Sequence, residues 1–572
     1  MYTNIKSIQL LVSMMKKRGI NTIVVSPGNS HNAIVRSLEE DTFFKTYCIT
    51  DERSAAFFAL GLIQQLQKPV AILCTSGTAA SNYLSGVTEG FRREMPLVVI
   101  TGDKVPYYLN QMEDQMIDQP SIFKPVTKHS ISLPIIKDGV DEWYCTRILN
   151  EAFLEMNHHG TGPVHINVPI GQGMLGIGAD FTTEVLPDVR VIERYDHHRD
   201  ENEIATVFEN ATKKRILFIC GQDISFDADE IKLFEAVSER FNCVLSVDAL
   251  SNNNCKYSIK TSRTQYGLST LVPDIVITLN GNSASQYKFN LKSETAPFEH
   301  WRVCEDGKVA DPFRKLSKIF EFTTKEFLSL MLKYGIQNAD HTYYKAWKNN
   351  EDHFRVPKFK YSNLYACCEV LKALPANSVL NLGNSTTIRI AQFFDFDPSI
   401  HVFCNRGVNG IDGSMSAFIG QSAATDKLSF LLIGDLSFFY DMNALWNRYV
   451  GKNVRIMLFN NEGAALFHFN QGIDQFPTLN ENVAAEHFAK AEGWCVSQGF
   501  EYLSATSKQE FDDNLATFVS EKSEKPIVFE VFTHKETDAE YQHEFYESNR
   551  PLASKAKQEV KKAMSFFKGK DK

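Results

Sequence analysis

The chain has no apolar run approaching the roughly 20 residues that a membrane span requires. Its N-terminal segment IQLLVSMMKKRG puts lysines after the apolar part, unlike a secretion signal. Its 11 cysteines form no CxxC pair, and Cys367 and Cys368 are immediate neighbours, so neither a disulfide framework nor a zinc site is expected. A reducing, cytoplasmic setting fits that usage. Positive charge is also short: 60 Lys and Arg stand against 69 Asp and Glu, a net charge of -9. No long basic block precedes the C-terminus, so the electrostatic footprint of a nucleic-acid binder is missing. An acidic protein that handles anions must place its cations locally. No sequence repeat is evident either.

What the chain does have is length and alternation. Its 572 residues exceed one core and suggest about three to four domains. Residues 1–180 alternate helical and strand patterns, from the strand TIVVS through PVAILCTSG and PLVVITGD to HINVPI. This is the pattern of a doubly wound α/β domain, whose functional groups sit at the carboxyl ends of its strands. Those ends carry Pro27, Glu52, Gly77, Thr78 and Lys104. Residues 180–200 are polar and aperiodic and read as a linker. A second α/β unit, 195–340, has strands RILFICGQ, NCVLSVDA and DIVITLNG, but no G-x-G-x-x-G, so Gly221 and Gly281 read as turn glycines. A third unit covers 355–545. The tail 551–572 is a lysine-rich helix candidate that reads as solvated, with an anionic surface or a partner as the sharper alternative.

The most informative stretch lies in the third unit. The buried strand FLLI delivers Gly434-Asp435, and VRIMLF delivers Asn460-Asn461 followed by Glu462-Gly463. YDMNALWNRYV between them has helical spacing, so the two strand ends should lie side by side. Asp435, Asn461 and the carbonyl of Gly463 then offer three oxygens to a hard divalent ion, magnesium or manganese. A lone Gly-Asp is more often an ordinary turn; the second strand's NN-x-G ending reverses that preference.

This pattern resembles the diphosphate-binding motif of thiamine diphosphate (ThDP) enzymes, with Leu436 in place of a third glycine. TDERSAAFFALGL, TSGTA, DQPSIF, GNSTTIR, NRGVNGIDG and GDLSFFYDMNAL extend the resemblance over nearly the whole chain. It is narrowest toward the menaquinone-pathway synthases, which make 2-succinyl-5-enolpyruvyl-6-hydroxy-3-cyclohexene-1-carboxylate from 2-oxoglutarate and isochorismate. The resemblance implies three doubly wound parallel-sheet domains: pyrimidine-binding, central and diphosphate-binding. It implies Glu52 as the catalytic carboxylate at the cofactor's aminopyrimidine. Pro27, Gly77, Thr78, Ile411, Leu436, Ser437 and Asn461 become cofactor contacts, with Ile411 under the bent cofactor. Asp435, Asn461 and Gly463 become the metal set. Because such sites draw on two subunits, it also implies a homodimer or tetramer.

For the donor, Ser385, Arg389 and Arg406 match positions that hold the distal carboxylate of 2-oxoglutarate, a charge-assisted clamp. Leu466 and Phe467 join the substrate-facing set. The acceptor side departs from the family pattern. Asn29-Ser30 replace Ser-Arg, Lys104 replaces Arg, Asp114-Gln115 replace Asn-Gln, and Tyr287-Lys288 align with Lys-Arg. These changes lead to the expectation of a decarboxylating carboligase whose unidentified acceptor is less anionic than isochorismate. The alternatives are the menaquinone-pathway synthase itself, a simple 2-oxoacid decarboxylase, and a non-catalytic scaffold subunit of the same fold.

Overall fold

A computed structural model describes residues 1–170, 180–192, 201–264, 271–285, 287–308, 310–336, 340–469, 472–473 and 475–550. The expected helix at 551–572 and the stretch 193–200 of the expected linker lie outside these residues. Every strand pair between named strands is parallel, and the strands fall into three six-stranded sheets.

The first sheet holds β1 (Thr22–Val25), β2 (Lys45–Cys48), β3 (Val70–Cys74), β4 (Leu97–Asp103), β5 (His129–Ser132) and β6 (Val164–Pro169), in the order β2-β1-β3-β4-β6-β5. The second holds β7 (Ile216–Ile219), β8 (Cys243–Val247), β9 (Ser258–Lys260), β10 (Ile275–Thr278), β11 (Glu299–Val303) and β12 (Leu316–Phe320), in the order β12-β11-β10-β7-β8-β9. The third holds β13 (Val379–Leu382), β14 (His401–Phe403), β15 (Ser429–Gly434), β16 (Val454–Asn460), β17 (Glu501–Ala505) and β18 (Ile527–Phe532), in the order β14-β13-β15-β16-β18-β17. Sheets one and three therefore share one winding, strand for strand, although no sequence repeat announces it. The second sheet is wound differently, in the order of dinucleotide-binding folds, yet without their glycine fingerprint.

Central strands such as β3, β4 and β16 are buried along their whole length, which is why they read as unbroken apolar runs. Sheets one and three are joined by the helices Glu52–Leu66 and Ser414–Ser422. These helices pack closely enough that a Cβ on Gly61 would stand 1.9 Å from the Ala417 carbonyl oxygen, and one on Gly420 would stand 2.1 Å from that of Phe58. Ser54 and Ser416 share a hydroxyl hydrogen bond of 2.7 Å at the same end of the pair.

Three local expectations are corrected. The segment between β15 and β16 is not one crossover helix: a helix Asp435–Tyr440 gives way to a 3-10 turn, Met442–Trp446. Asp441 causes the break, since its buried carboxylate accepts from the Ser416 amide and hydroxyl, both at 2.7 Å. Residues 180–192 are not a free linker but lie on the first domain. Tyr2 and Thr183 form an antiparallel bridge, and Asn150 donates to the Arg190 carbonyl at 2.8 Å. The helix Thr342–Glu351 falls in the gap left between units two and three, and it packs on the central sheet by driving Trp347 against Tyr287. Among the described residues no helix is long and apolar enough to cross a membrane.

Candidate active site

Strands β15 and β16 pair in register through Gly434 and Phe459, which brings the two strand ends level. Asp435 is 3% exposed, and its Oδ2 accepts from the backbone amides of Asn461 and Gly463, each at 3.0 Å. Its Oδ1 accepts from the Leu436 amide at 2.7 Å, while His487 Nε2 stands 3.3 Å from Oδ2. Asn461 Nδ2 donates to Asp538 Oδ2 at 2.9 Å, so the amide nitrogen is engaged and Oδ1 is the end left to face a ligand. Gly463 has φ +137°, and a Cβ there would meet the Ala484 carbonyl oxygen at 2.6 Å, so only glycine suits the turn that follows Asn461. A carboxylate, an amide oxygen and a carbonyl are hard donors that fit magnesium or manganese. Ser437 Oγ donates to the Ile411 carbonyl at 2.5 Å, and Ile411 itself stands exposed. Leu436 is half-buried beside them, as are Leu466 and Phe467 on the following turn Ala465–Phe469.

The first-sheet group occupies the carboxyl ends of β1 to β4. Asp51 caps the helix that begins at Glu52, its side chain accepting from the Ser54 amide at 3.1 Å. Glu52, half-buried, accepts from Asn82 Nδ2 at 3.4 Å, and Asn82 ends the short helix opened by Thr78. Gly77, at φ +83°, turns its amide inward to Gln119 Oε1 at 3.0 Å. Pro27 and Thr78 are exposed.

The donor set lies on the third sheet's edge facing the central domain. Ser385 stands at the N-terminal position before the helix Thr386–Ala391 without a side-chain capping bond, that helix carries Arg389, and Arg406 follows β14. Arg406 is 6% exposed, and the Nε atoms of both arginines are buried without a hydrogen-bond partner. Burial, and then the Arg406 charge, hold Arg389 below the usual guanidinium range, with Tyr546 acting weakly the other way. Lys288 joins them: burial first, and the charges of Arg406 and Arg389, lower its ammonium, while Asp248 opposes this. Lys288, aligned from sequence with the acceptor side, is thus grouped with the donor arginines, and Asn282 bonds both its Nζ and the Arg406 carbonyl. Asp248, Asp538 and Tyr546 were not assigned from sequence, although Asp248 directly follows a strand, where such a signal was to be found.

The acceptor set is only partly assembled. Ser30 is 8% exposed and turned into the fold, sharing a 2.6 Å hydrogen bond with Thr75 Oγ1 and accepting from the Ser76 amide at 2.9 Å. Tyr287 is a core residue whose ring meets Trp347 edge-on at 5.2 Å, so it lines no polar pocket. Asn29, Asp114 and Gln115 are exposed. Exposure relieves Asp114 of the desolvation cost expected for a carboxylate buried beside an anion. Lys104 Nζ donates to Glu113 Oε1 at 2.5 Å and to the Asp114 carbonyl at 2.6 Å.

Comparison with known proteins agrees with this architecture. Residues 5–122 match the family described as thiamine pyrophosphate enzyme, N-terminal TPP binding domain. The chain is 38% identical over 560 residues to the 2-succinyl-5-enolpyruvyl-6-hydroxy-3-cyclohexene-1-carboxylate synthase of Phocaeicola vulgatus, covering 96% of this chain and 99% of that one. The synthase of the same name from Flavobacterium johnsoniae is 30% identical over 547 residues, covering 93% and 97%. The structure of benzoylformate decarboxylase from Polynucleobacter necessarius matches with a TM-score of 0.69 at 18% identity, covering 94% of this chain and 99% of that one, a likeness of fold alone.

Proposed function

The chain belongs to the 2-succinyl-5-enolpyruvyl-6-hydroxy-3-cyclohexene-1-carboxylate synthase family of ThDP enzymes, and we propose that it decarboxylates 2-oxoglutarate and joins the resulting four-carbon unit to isochorismate. It is a ThDP-dependent, decarboxylating enzyme that forms carbon–carbon bonds. The observation that carries the choice of donor is that the buried Nε atoms of Arg389 and Arg406 lack partners, with the Arg406 charge close enough to bear on Arg389. Two desolvated guanidiniums repel each other until an anion sits between them, and a distal carboxylate supplies that anion. Pyruvate has none.

In this reading Asp435, Asn461 and the Gly463 carbonyl hold the divalent cation, and Leu436 and Ser437 line the diphosphate. When bound, ThDP supplies a nucleophilic carbon and an electron sink for decarboxylation. Glu52 holds a proton at the aminopyrimidine, Ile411 supports the cofactor from below, and Pro27, Gly77 and Thr78 border the pyrimidine. Ser385, Arg389 and Arg406 orient the oxoacid, with Leu466 and Phe467 closing the apolar side against water. We assign the first sheet to pyrimidine binding and the third to diphosphate binding, with the complete site formed between two copies of the chain.

A second reading keeps the donor and replaces isochorismate with a less anionic acceptor. Its support is the pairing of Lys104 with Glu113 and the inward turn of Ser30, which leave no unpaired cation at those two positions. Asn29, Asp114 and Gln115 then meet the acceptor as neutral or acidic groups. The donor assignment is tested by carbon dioxide release. 2-Oxoglutarate should be preferred over pyruvate, and Arg389→Ala should lose about 2–5 kcal/mol of that preference. Equal turnover of the two oxoacids would overturn it.

A further inference from the structure

The loop 282–285 of the central domain touches every part of the cationic pocket. Asn282 Oδ1 and the Ser283 carbonyl accept from Lys288 Nζ at 3.0 and 2.9 Å. Asn282 Nδ2 donates to the Arg406 carbonyl at 3.3 Å. The Ala284 carbonyl accepts from Gln392 Nε2 at 3.1 Å, and Gln392 immediately follows the helix that carries Arg389. Whatever fixes this loop fixes Lys288 directly, Arg406 through its carbonyl, and the end of the Arg389 helix through the Gln392 side chain.

A single buried carboxylate does so. Asp248, 7% exposed just beyond β8, uses Oδ2 to accept from the Ala284 amide at 2.7 Å and the Ser283 hydroxyl at 3.1 Å. Its Oδ1 accepts from the Leu250 amide at 3.0 Å. The Oδ1 bond is a local turn and needs no further explanation. The Oδ2 bonds reach across 35 and 36 residues to the loop, and they are the ones that bear on the pocket. Burial raises the Asp248 carboxyl, against its hydrogen bonds to the loop and Leu250 and the charge of Arg406, and the Asp248 charge in turn opposes the lowering of Lys288. By fixing Asn282 and Ser283 it keeps Lys288 Nζ in place next to Arg406, whose carbonyl the same Asn282 side chain contacts.

We propose that Asp248 is a positioning residue of the donor pocket, setting loop 282–285 so that Lys288 stands with Arg389 and Arg406 as a third cation toward a dicarboxylate oxoacid. The inference rests on the reading of Arg389 and Arg406 as the donor site. It gives the central domain, which contributes no residue to the expected cofactor site, a part in substrate choice.

The test uses the full chain loaded with ThDP and magnesium. Asp248→Asn keeps the volume but leaves one acceptor oxygen for three donors, so its NH2 must face either the two loop donors or the Leu250 amide, and the loop should shift relative to β8. The KM for 2-oxoglutarate should rise roughly tenfold or more with kcat changed much less, the scale of losses when an orienting partner is removed. Calorimetric affinity for ThDP with magnesium should hold, because Asp435 and Asn461 are untouched. Lys288→Met should raise the KM similarly. The double variant should be no worse than the worse single one, since both changes remove the same effect. If Asp248→Asn fails to fold, Ser283→Ala removes one of the two loop bonds and should give a smaller rise of the same kind. An unchanged or lower KM in every folded variant would overturn the proposal. So would a fall in kcat and cofactor affinity that tracks lost thermal stability, the mark of a purely structural role. Wild-type turnover of 2-oxoglutarate reports on the donor assignment and the variant-to-wild-type ratio on Asp248. A wild-type enzyme that ignores 2-oxoglutarate removes both.

Discussion

Asn461 donates its side-chain amide to Asp538, a carboxylate buried at 1% exposure, at 2.9 Å, and this bond decides which way the amide faces. Its neighbour Asn460 is held in the same manner by buried Glu530 at 2.7 Å. Both asparagines of the NN pair are thus oriented by acids that arrive later in the chain, from β18 and from the helix Lys535–Ser548. Asp538→Leu should weaken magnesium-dependent ThDP binding by about 10- to 100-fold, because Asn461 is then free to turn its nitrogen toward the cation. Titration calorimetry measures this directly. An affinity equal to wild type would remove Asn461 from the metal set.

Glu52 begins its helix with Asp51 as the cap, so its backbone placement does not depend on its own carboxylate. Glu52→Gln should therefore preserve both the fold and cofactor affinity while slowing proton exchange at the reactive carbon of bound ThDP by about 10²- to 10⁴-fold, the range for a lost acid–base group. Exchange followed by magnetic resonance gives the rate. Undiminished exchange would require a different catalytic carboxylate.

Much of this arrangement was legible in the sequence, and the pieces that were not share a cause. Parallel strands buried on both faces write themselves as apolar runs, so β3, β4, β15 and β16 could be located from the sequence, together with Asp103 and Asp435 at the ends of β4 and β15 and the Asn460-Asn461 pair at the end of β16. The family motifs, confined to contiguous stretches, marked Glu52, Arg389, Arg406 and Asp435. Asp248 and Asp538 were missed because their importance lies in long-range hydrogen bonds, which no local spacing records, and Lys288 was aligned with the acceptor side rather than the donor arginines. Tyr287 and Ser30 misled for the opposite reason. Alignment placed each beside a substrate, whereas packing on Trp347 and bonding to Thr75 turn them into the fold. The segment after Tyr440 has helical spacing, but the tertiary demand of Asp441 on Ser416 overrides it.

Acid stability follows from three buried imidazoles. Burial pushes His31 and His300 down to about 4 and His165 to about 3, against about 6.5 in the unfolded chain. The unfolded state takes up protons first, so their contribution is complete above pH 6.5 and is lost as pH falls from there toward 4, at about 1.4 kcal/mol per pH unit for each histidine. Asp441 and Asp538, pushed up to about 6 by burial, act the other way: the folded state takes up their protons first, which adds stability as pH falls below 6. Burial also raises Glu94, Asp103 and Asp248, which act in the same direction as the two aspartates, so the histidines govern the first part of the acid limb, where their window opens earlier. The thermal midpoint of the metal-free protein should fall from about pH 7 to about pH 6, where the histidines of the unfolded chain take up protons ahead of the raised carboxylates, and His165→Asn should flatten that slope. A midpoint that stays level or rises over this range would contradict the account.

The central claim is that the pocket of Arg389, Arg406 and Lys288 loads 2-oxoglutarate and that the product is the one for which the family is named. The most direct measurement supplies the purified protein with ThDP, magnesium, 2-oxoglutarate and isochorismate, together with neutral carbonyl compounds as competing acceptors, and follows each product by mass. The account predicts the 2-succinyl-cyclohexene product as the main species, with kcat/KM for isochorismate above about 10⁴ M⁻¹s⁻¹. Carbon dioxide release with the four-carbon unit carried instead to a neutral acceptor would contradict it and establish the altered-acceptor reading.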